Sequence, residues 1–279
     1  MTFELSGTPT WVSRALATSH AVDAPRVGEL WTLAWDGRFS GTAVIAGAYS
    51  DHVLALPVTA SAASATEIAL HHDDAALALW PQGETGIGNF LLHARIGVML
   101  TDNQVLEVRR WEARLGQLET LQTGSAARTR QQLADVLNHF RELCFIEWPS
   151  IAEAVLDIEA VDLEPVDFAR ETGLSTPTVL ALWDGVPPTA GVREVIEARN
   201  DGWLTIRSDE AIASLSSPAV KDLFIELTAL MGGDERAARN AARREYSLAA
   251  RTSSVIARDT TRAADTVRQL IEETRASLG

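Results

Sequence analysis

Apolar and polar positions alternate in short runs through the first half of the chain and repeat with a helical period through the second. Residues 1–24 read as an appendage in which residues 10–19 form one amphipathic helix with Trp11 and Leu16 inward. From Val27 onward the apolar runs are short and broken by turn residues. Residues 28–37 (GELWTLAWDG) end in Asp36-Gly37, a strong hairpin signal. Residues 41–50 and 52–59 follow, parted by a polar Ser50-Asp51 step, so the three segments predict an antiparallel meander. Further strands are predicted at 66–71, 75–80, 90–99 and 105–111, with a Gly-rich loop at 81–89 (PQGETGIGN). Many short strands at regular spacing predict a barrel or a sandwich. In residues 127–144, Leu133, Val136, Leu137, Phe140 and Leu143 recur with the helical period and predict a helix capping that sheet.

Beyond Glu147-Trp148-Pro149 the start signals are those of helices. Pro149-Ser150 opens one, and Ser175 caps another with Pro177 in its first turn. Ser217-Pro218 opens residues 219–231, and Asp234 follows Gly232-Gly233 to open the last. Residues 203–207 (WLTIR) read as a short strand or wing. Residues 235–278 read as one long helix with Leu248, Val255, Val267, Leu270, Ile271 and Leu278 on a loose stripe. Such a helix needs the body of the protein or a second copy to pack against. The expected organisation is therefore an appendage at 1–24, a β-domain at 25–147, a helical domain at 148–233 and a long helix at 234–279.

Composition narrows the function. At 279 residues, 46% hydrophobic and 22% charged, the chain is long enough for two globular domains. Cys144 is its single cysteine, which excludes an intramolecular disulfide, suits a reducing compartment and is most simply a buried helix residue. The longest apolar stretch, residues 91–100, is broken by His93 and Arg95 and is too short to span a bilayer. These two residues share a strand face, whose usual meaning is a polar outer surface. The expectation is a cytoplasmic protein with no membrane partner.

The net charge of −14 argues against broad attraction to polyanions, but it is unevenly spread. Residues 25–145 carry 9 basic and 13 acidic side chains, residues 146–233 carry 5 and 16, and residues 234–279 carry 9 and 7. Lys221 is the sole lysine. No metal or cofactor is expected. The run His71-His72-Asp73-Asp74 puts adjacent side chains on opposite strand faces and reads as a solvated turn. Gly83, Gly86 and Gly88 lack the Lys-Ser/Thr of a phosphate loop.

Three segments, in order, resemble the MazF/PemK endoribonuclease toxins. GELWTLAWDG resembles that family's opening strand. LPVTASAAS (residues 56–64) is similar to its Pro-Val-Thr-Ser strand end. GVMLTDNQVLEVRRWEARLGQL (residues 97–118) looks like its late strand and Arg-rich turn. The resemblance covers residues 25–145. It implies an SH3-like β-barrel, RNA as substrate, a homodimer and an antitoxin-like protein partner. The family cuts RNA by attack of a 2′-hydroxyl on the adjacent phosphate, which needs a base, an acid and a cation aimed at the developing charge. Here the family's arginine falls at Gly41-Thr42, Arg38 is the nearest replacement, and Thr59 matches the family threonine. Arg38 and Thr59 are thus the catalytic candidates, in a site expected to be impaired.

DFARETGLSTPTVLALWDGVPP (residues 167–188) resembles the helix-turn-helix of XRE-type repressors. Gly173 fits the turn, Ser175 the cap, Val179 and Leu182 the buried face and Gly185 the stop. The resemblance implies a reading face that includes Thr176 and Thr178. No Arg or Lys occurs between Glu171 and Gly191, whereas phosphate contacts need cations. Arg236, Arg239, Arg243, Arg244 and Arg251 could supply them. The expected fold class is α+β: an SH3-like barrel, then a helix-turn-helix-like α-domain and a long C-terminal helix. The expected function is a toxin–antitoxin or mobile-element type regulator that binds DNA. An active endoribonuclease and a protein-interaction module stand as alternatives.

Overall fold

The computed structural model describes residues 5–16, 24–146, 152–158, 160–183, 186, 188–208, 210–251 and 260–278. The fold is α+β, with a curled antiparallel sheet followed by helices. Its residues fall into two compact units, Met1–Trp148 with Ala213–Gly279, and Pro149–Ile212.

In the first unit a short helix α1 (Thr10–Leu16) buries Val12 and Ala15. It precedes β1 (Glu29–Trp35) and β2 (Arg38–Ala48), joined by Asp36-Gly37. Both turn residues have positive φ, 51° and 69°, the backbone a tight hairpin needs and Asp-Gly supplies at little steric cost. β3 (His52–Thr59) pairs with β2 along its length. β4 (Ile68–His72) and β5 (Ala75–Leu79) form a hairpin around Asp73-Asp74. β6 (Thr85–Gly88) pairs with the start of β3, β5 with its end, and β7 (Leu92–Val98) closes on β1. The strand order is β4-β5-β3-β2-β1-β7.

One face of this sheet gathers Leu30, Val44, Leu56, Val58, Ile68 and Leu79 with Val105 and Val108 of helix α2 (Asp102–Glu112). Helix α3 (Arg130–Cys144) lies against β6 and brings Leu137 and Phe140 to Pro57, Gly83 and Gly41.

Sequence and structure part at several places. Residues 105–111 are helical, not extended. Thr101 and Gln104 form a reciprocal cap, the side chain of each accepting the other's backbone N–H, and Val105 and Val108 then face the core at helical spacing. The Gly-rich stretch holds strand β6, whose glycines fit because a Cβ at Gly88 would strike the Phe90 ring at 2.1 Å. Cys144 is exposed, since α3 buries Phe140 and Leu143 instead. His93 is buried rather than outward-facing, with Nε2 3.0 Å from Asp222 Oδ1 and Nδ1 3.3 Å from Thr32 Oγ1.

The second unit begins with β8 (Ala152–Leu156), where a helix is predicted; pairing with β9 overrides the helix-forming Ala and Glu of this segment. Helices α4 (Pro165–Thr172), α5 (Thr176–Trp183) and α6 (Ala190–Glu197) follow, then β9 (Leu204–Ser208). Gly173 ends α4 in the left-handed conformation at φ 72°. Leu156, Phe168, Val179, Leu182 and Ile196 make the core, and the Trp183 and Trp203 rings lie 5.1 and 5.3 Å from Phe168.

Helix α7 (Glu210–Leu215) leads back into the first unit, where α8 (Lys221–Leu230) reaches β7. The remainder is two helices, α9 (Glu235–Arg251) and α10 (Thr260–Leu278), in place of the single one predicted. Arg262 sits over the Tyr246 ring at 5.0 Å, although a continuous helix would separate positions 16 apart by about 24 Å. Helix α10 therefore lies against α9 and does not continue it. Of the predicted stripe, Val267 and Ile271 are buried, Leu278 is exposed, and Val255 lies outside the described residues. Among the described residues no helix is long and apolar enough to cross a membrane.

Candidate nucleic-acid interface

Thr59 ends β3, and its surroundings are polar. Its Oγ1 accepts a hydrogen bond from Trp80 Nε1 at 2.9 Å and lies 3.3 Å from Ser61 Oγ. Arg128, just before α3, donates from Nη2 to Ser61 Oγ at 2.5 Å and to the Ala62 carbonyl at 2.7 Å. Its Nε donates to Glu67 Oε2 at 3.1 Å, and the guanidinium covers the Trp80 ring at 5.4 Å. Glu67 is fully buried and also accepts from the backbone N–H and hydroxyl of Ser64. A cation thus stands one hydroxyl away from Thr59, paired with a buried carboxylate. Sequence reading missed Arg128, because 67 residues separate it from Ser61 and no local pattern links them.

Arg38 is elsewhere. It opens β2, exposed, opposite Trp35. The β2–β3 ladder pairs Thr42 with Val58, so Gly41 and Thr59 fall in the next row. Arg38 lies three residues, about 10 Å of strand, from that row. Gly41 has φ +137°, and a Cβ there would lie 3.5 Å from the Phe140 ring. His139 Nε2 is 2.6 Å from the Ser40 carbonyl. Helix α3 therefore covers the place where the resemblance puts the arginine, and the structure brings Arg128, not Arg38, toward Thr59.

The five candidate arginines of α9 do not share one environment. Glu235, Ala238, Arg239, Ala242 and Tyr246 form the buried edge. Arg239 is 1% exposed. Its Nε donates to Glu235 Oε1 at 2.8 Å, Nη1 to the Leu215 carbonyl at 2.8 Å and Nη2 to the Phe90 carbonyl at 3.2 Å. Phe224 stacks on its guanidinium at 4.1 Å. This arginine is committed inside the protein. Arg236 and Arg244 are exposed, and Arg243 is half-buried beside the buried edge. The side chain of Arg251 lies outside the described ones.

Burial lowers the Lys221 ammonium to about 8, although the Glu235 carboxylate beside it pulls the other way. Burial likewise lowers Arg239. Burial pushes the Glu235 carboxyl up, but the charges of Lys221 and Arg239 outweigh it and hold the group below its ordinary 4.5. The backbone N–H of Asp36 donates to Glu235 Oε2 at 3.1 Å, and that of Glu235 to Asp36 Oδ1 at 2.9 Å, so the β1–β2 turn fixes the start of α9.

In the second unit Thr176 is exposed at the start of α5. Thr178 is half-buried with its Oγ1 2.8 Å from Ser175 Oγ. Val179 and Leu182 point into the core, as the spacing predicts. The nearest basic side chain before α5, Arg170, is held by Asp167 at 2.7 Å. Asp184 and Gly185 lie outside the described residues.

No protein-family model, no curated protein and no solved structure matches this chain.

Proposed function

We propose that the protein is a non-catalytic, DNA-binding regulator of toxin–antitoxin or mobile-element type. Its sheet is an SH3-like barrel of the MazF/PemK kind, and its second unit is a helix-turn-helix used with little electrostatic help. The observation that carries this reading is that Arg236 and Arg244 of α9 are exposed outside its buried edge, with Arg243 half-buried beside that edge. Thr176 and Thr178 of the second unit are separate candidate contacts, and Arg251 stays a candidate by sequence alone. Arg239 takes no part. Each phosphate neutralised contributes a slope of about −0.9 to log affinity against log salt. Three such arginines therefore predict a loss of roughly fortyfold between 50 and 200 mM salt. The test is retention of the protein's own upstream DNA. Arg236→Glu with Arg244→Glu abolishes it while the melting temperature holds; retention by that double variant overturns the reading.

A second reading, an endoribonuclease, draws on the approach of Arg128 to Thr59 through Ser61. Its weakness is electrostatic: the buried Glu67 carboxylate already neutralises the cation. Incubation of the full chain with a long RNA separates the two, since cleavage lost in both Thr59→Ala and Arg128→Ala supports the ribonuclease and intact RNA supports the regulator.

A further inference from the structure

A cavity of about 350 Å³ opens within the first unit between the β2–β3 turn and the segment that leads into α8. That volume is at the small end of the range for ligand sites. Its wall includes Asn89, Ser214 and Ser216, all more than nine-tenths buried. Asn89 Oδ1, Ser214 Oγ and Ser216 Oγ have no hydrogen-bond partner among the described residues. Leaving three such oxygens unsatisfied costs on the order of 1–3 kcal/mol each, so they need partners beyond the described residues.

The chemistry of those partners is constrained. The Asn89 amide is oriented by its Nδ2, which donates to the Tyr49 and Ser50 carbonyls, each at 3.3 Å. Its Oδ1 is consequently an acceptor only, and what meets it must carry an N–H or O–H. The two serine hydroxyls can donate to an adjacent carbonyl. Among the described residues lining the cavity no side chain is charged, which disfavours an ionic guest. Pro25 and Pro218 supply rigid apolar wall. An N–H beside a C=O on a flat, neutral ring meets all of these demands.

We propose that this cavity binds a small uncharged molecule with a lactam edge, of nucleoside type. The lactam N–H meets Asn89 Oδ1 and the neighbouring carbonyl accepts from Ser214 or Ser216. Thr260, the first residue of α10, also lines the cavity, so the guest joins the start of that helix to the sheet. The inference is independent of the DNA reading. It is tested by titration calorimetry of the full chain with uridine and inosine, beside glucose and inorganic phosphate. Saturable binding of a nucleoside, weakened roughly tenfold in Ser214→Ala and in Ser216→Ala, supports it, tenfold being what one hydrogen bond is worth. Ala48→Trp, at the exposed end of β2, removes the binding without lowering the melting temperature. No heat at millimolar nucleoside, equal binding of glucose or phosphate, or affinity unchanged in both serine variants overturns it.

Discussion

The Lys221 ammonium and the Glu235 carboxylate meet at 2.5 Å, Nζ to Oε1, with 1% and 0% of their side chains reaching solvent. Arg239 shares the same oxygen at 2.8 Å, and the Trp35 ring lies 5.6 Å from Nζ. One carboxylate thus answers two buried cations and ties α8 and α9 to the β1–β2 turn. Glu235→Gln leaves both cations uncompensated and is expected to cost about 3–5 kcal/mol. Lys221→Met leaves Glu235 paired with Arg239 and removes a desolvated charge, so its cost falls well below that. Urea denaturation of the two variants checks the order; equal costs would mean that the cluster is not carried by its carboxylate.

The same lysine gives a pH signature. Its folded value near 8 is below its ordinary 10.5, so between these limits the unfolded chain binds more protons. Stability from this group is therefore greatest above 10.5 and is lost as pH falls toward 8. The stability difference between the parent and Lys221→Met should shift in the parent's favour from pH 8 to 10.5. Glu235, depressed by its two cations, adds stability above its ordinary 4.5 that is lost on acidification through its lower folded value. Melting curves across both ranges read the two effects separately.

Placing an arginine at position 41 should not create a nuclease. Gly41 has φ +137°, and Phe140 faces the place a side chain would take. Gly41→Arg is expected to cost about 1–3 kcal/mol through backbone strain alone and to leave RNA intact. Thermal melting and an RNA incubation with the purified variant test both halves.

Helix α3 begins at a reciprocal cap. Thr129 Oγ1 accepts from the Gln132 backbone N–H at 3.1 Å, and Gln132 Oε1 from that of Thr129 at 3.0 Å. Thr129→Ala should cost about 1 kcal/mol. Because Arg128 is the next residue, hydrogen exchange at Ser61 and Ser64 should quicken with it. Unchanged exchange there would show that Glu67 alone holds Arg128.

Much of the sheet could be read from sequence because its signals are local. Asp36-Gly37 and Asp73-Asp74 mark their turns, and the runs beside them are short and apolar. The misread elements are those whose signal was ambiguous or non-local. Residues 105–111 alternate well enough to suggest a strand, yet the Thr101–Gln104 cap and the Val105–Val108 spacing favour a helix. β8 is written in helix-forming residues and is extended only because β9 pairs with it. The polar ring around Thr59 was out of reach, since Arg128 joins Ser61 and Glu67 across more than 60 residues of chain. The Arg-rich run of α9 gave no sign that Arg239 turns inward while Arg236 and Arg244 stay exposed.

Ala152 pairs with Ser208 and Leu156 with Leu204. The two ends of the second unit are therefore clasped one strand spacing apart, about 5 Å. A module held this way can be excised, lengthened or exchanged for another without redirecting the host polypeptide on either side.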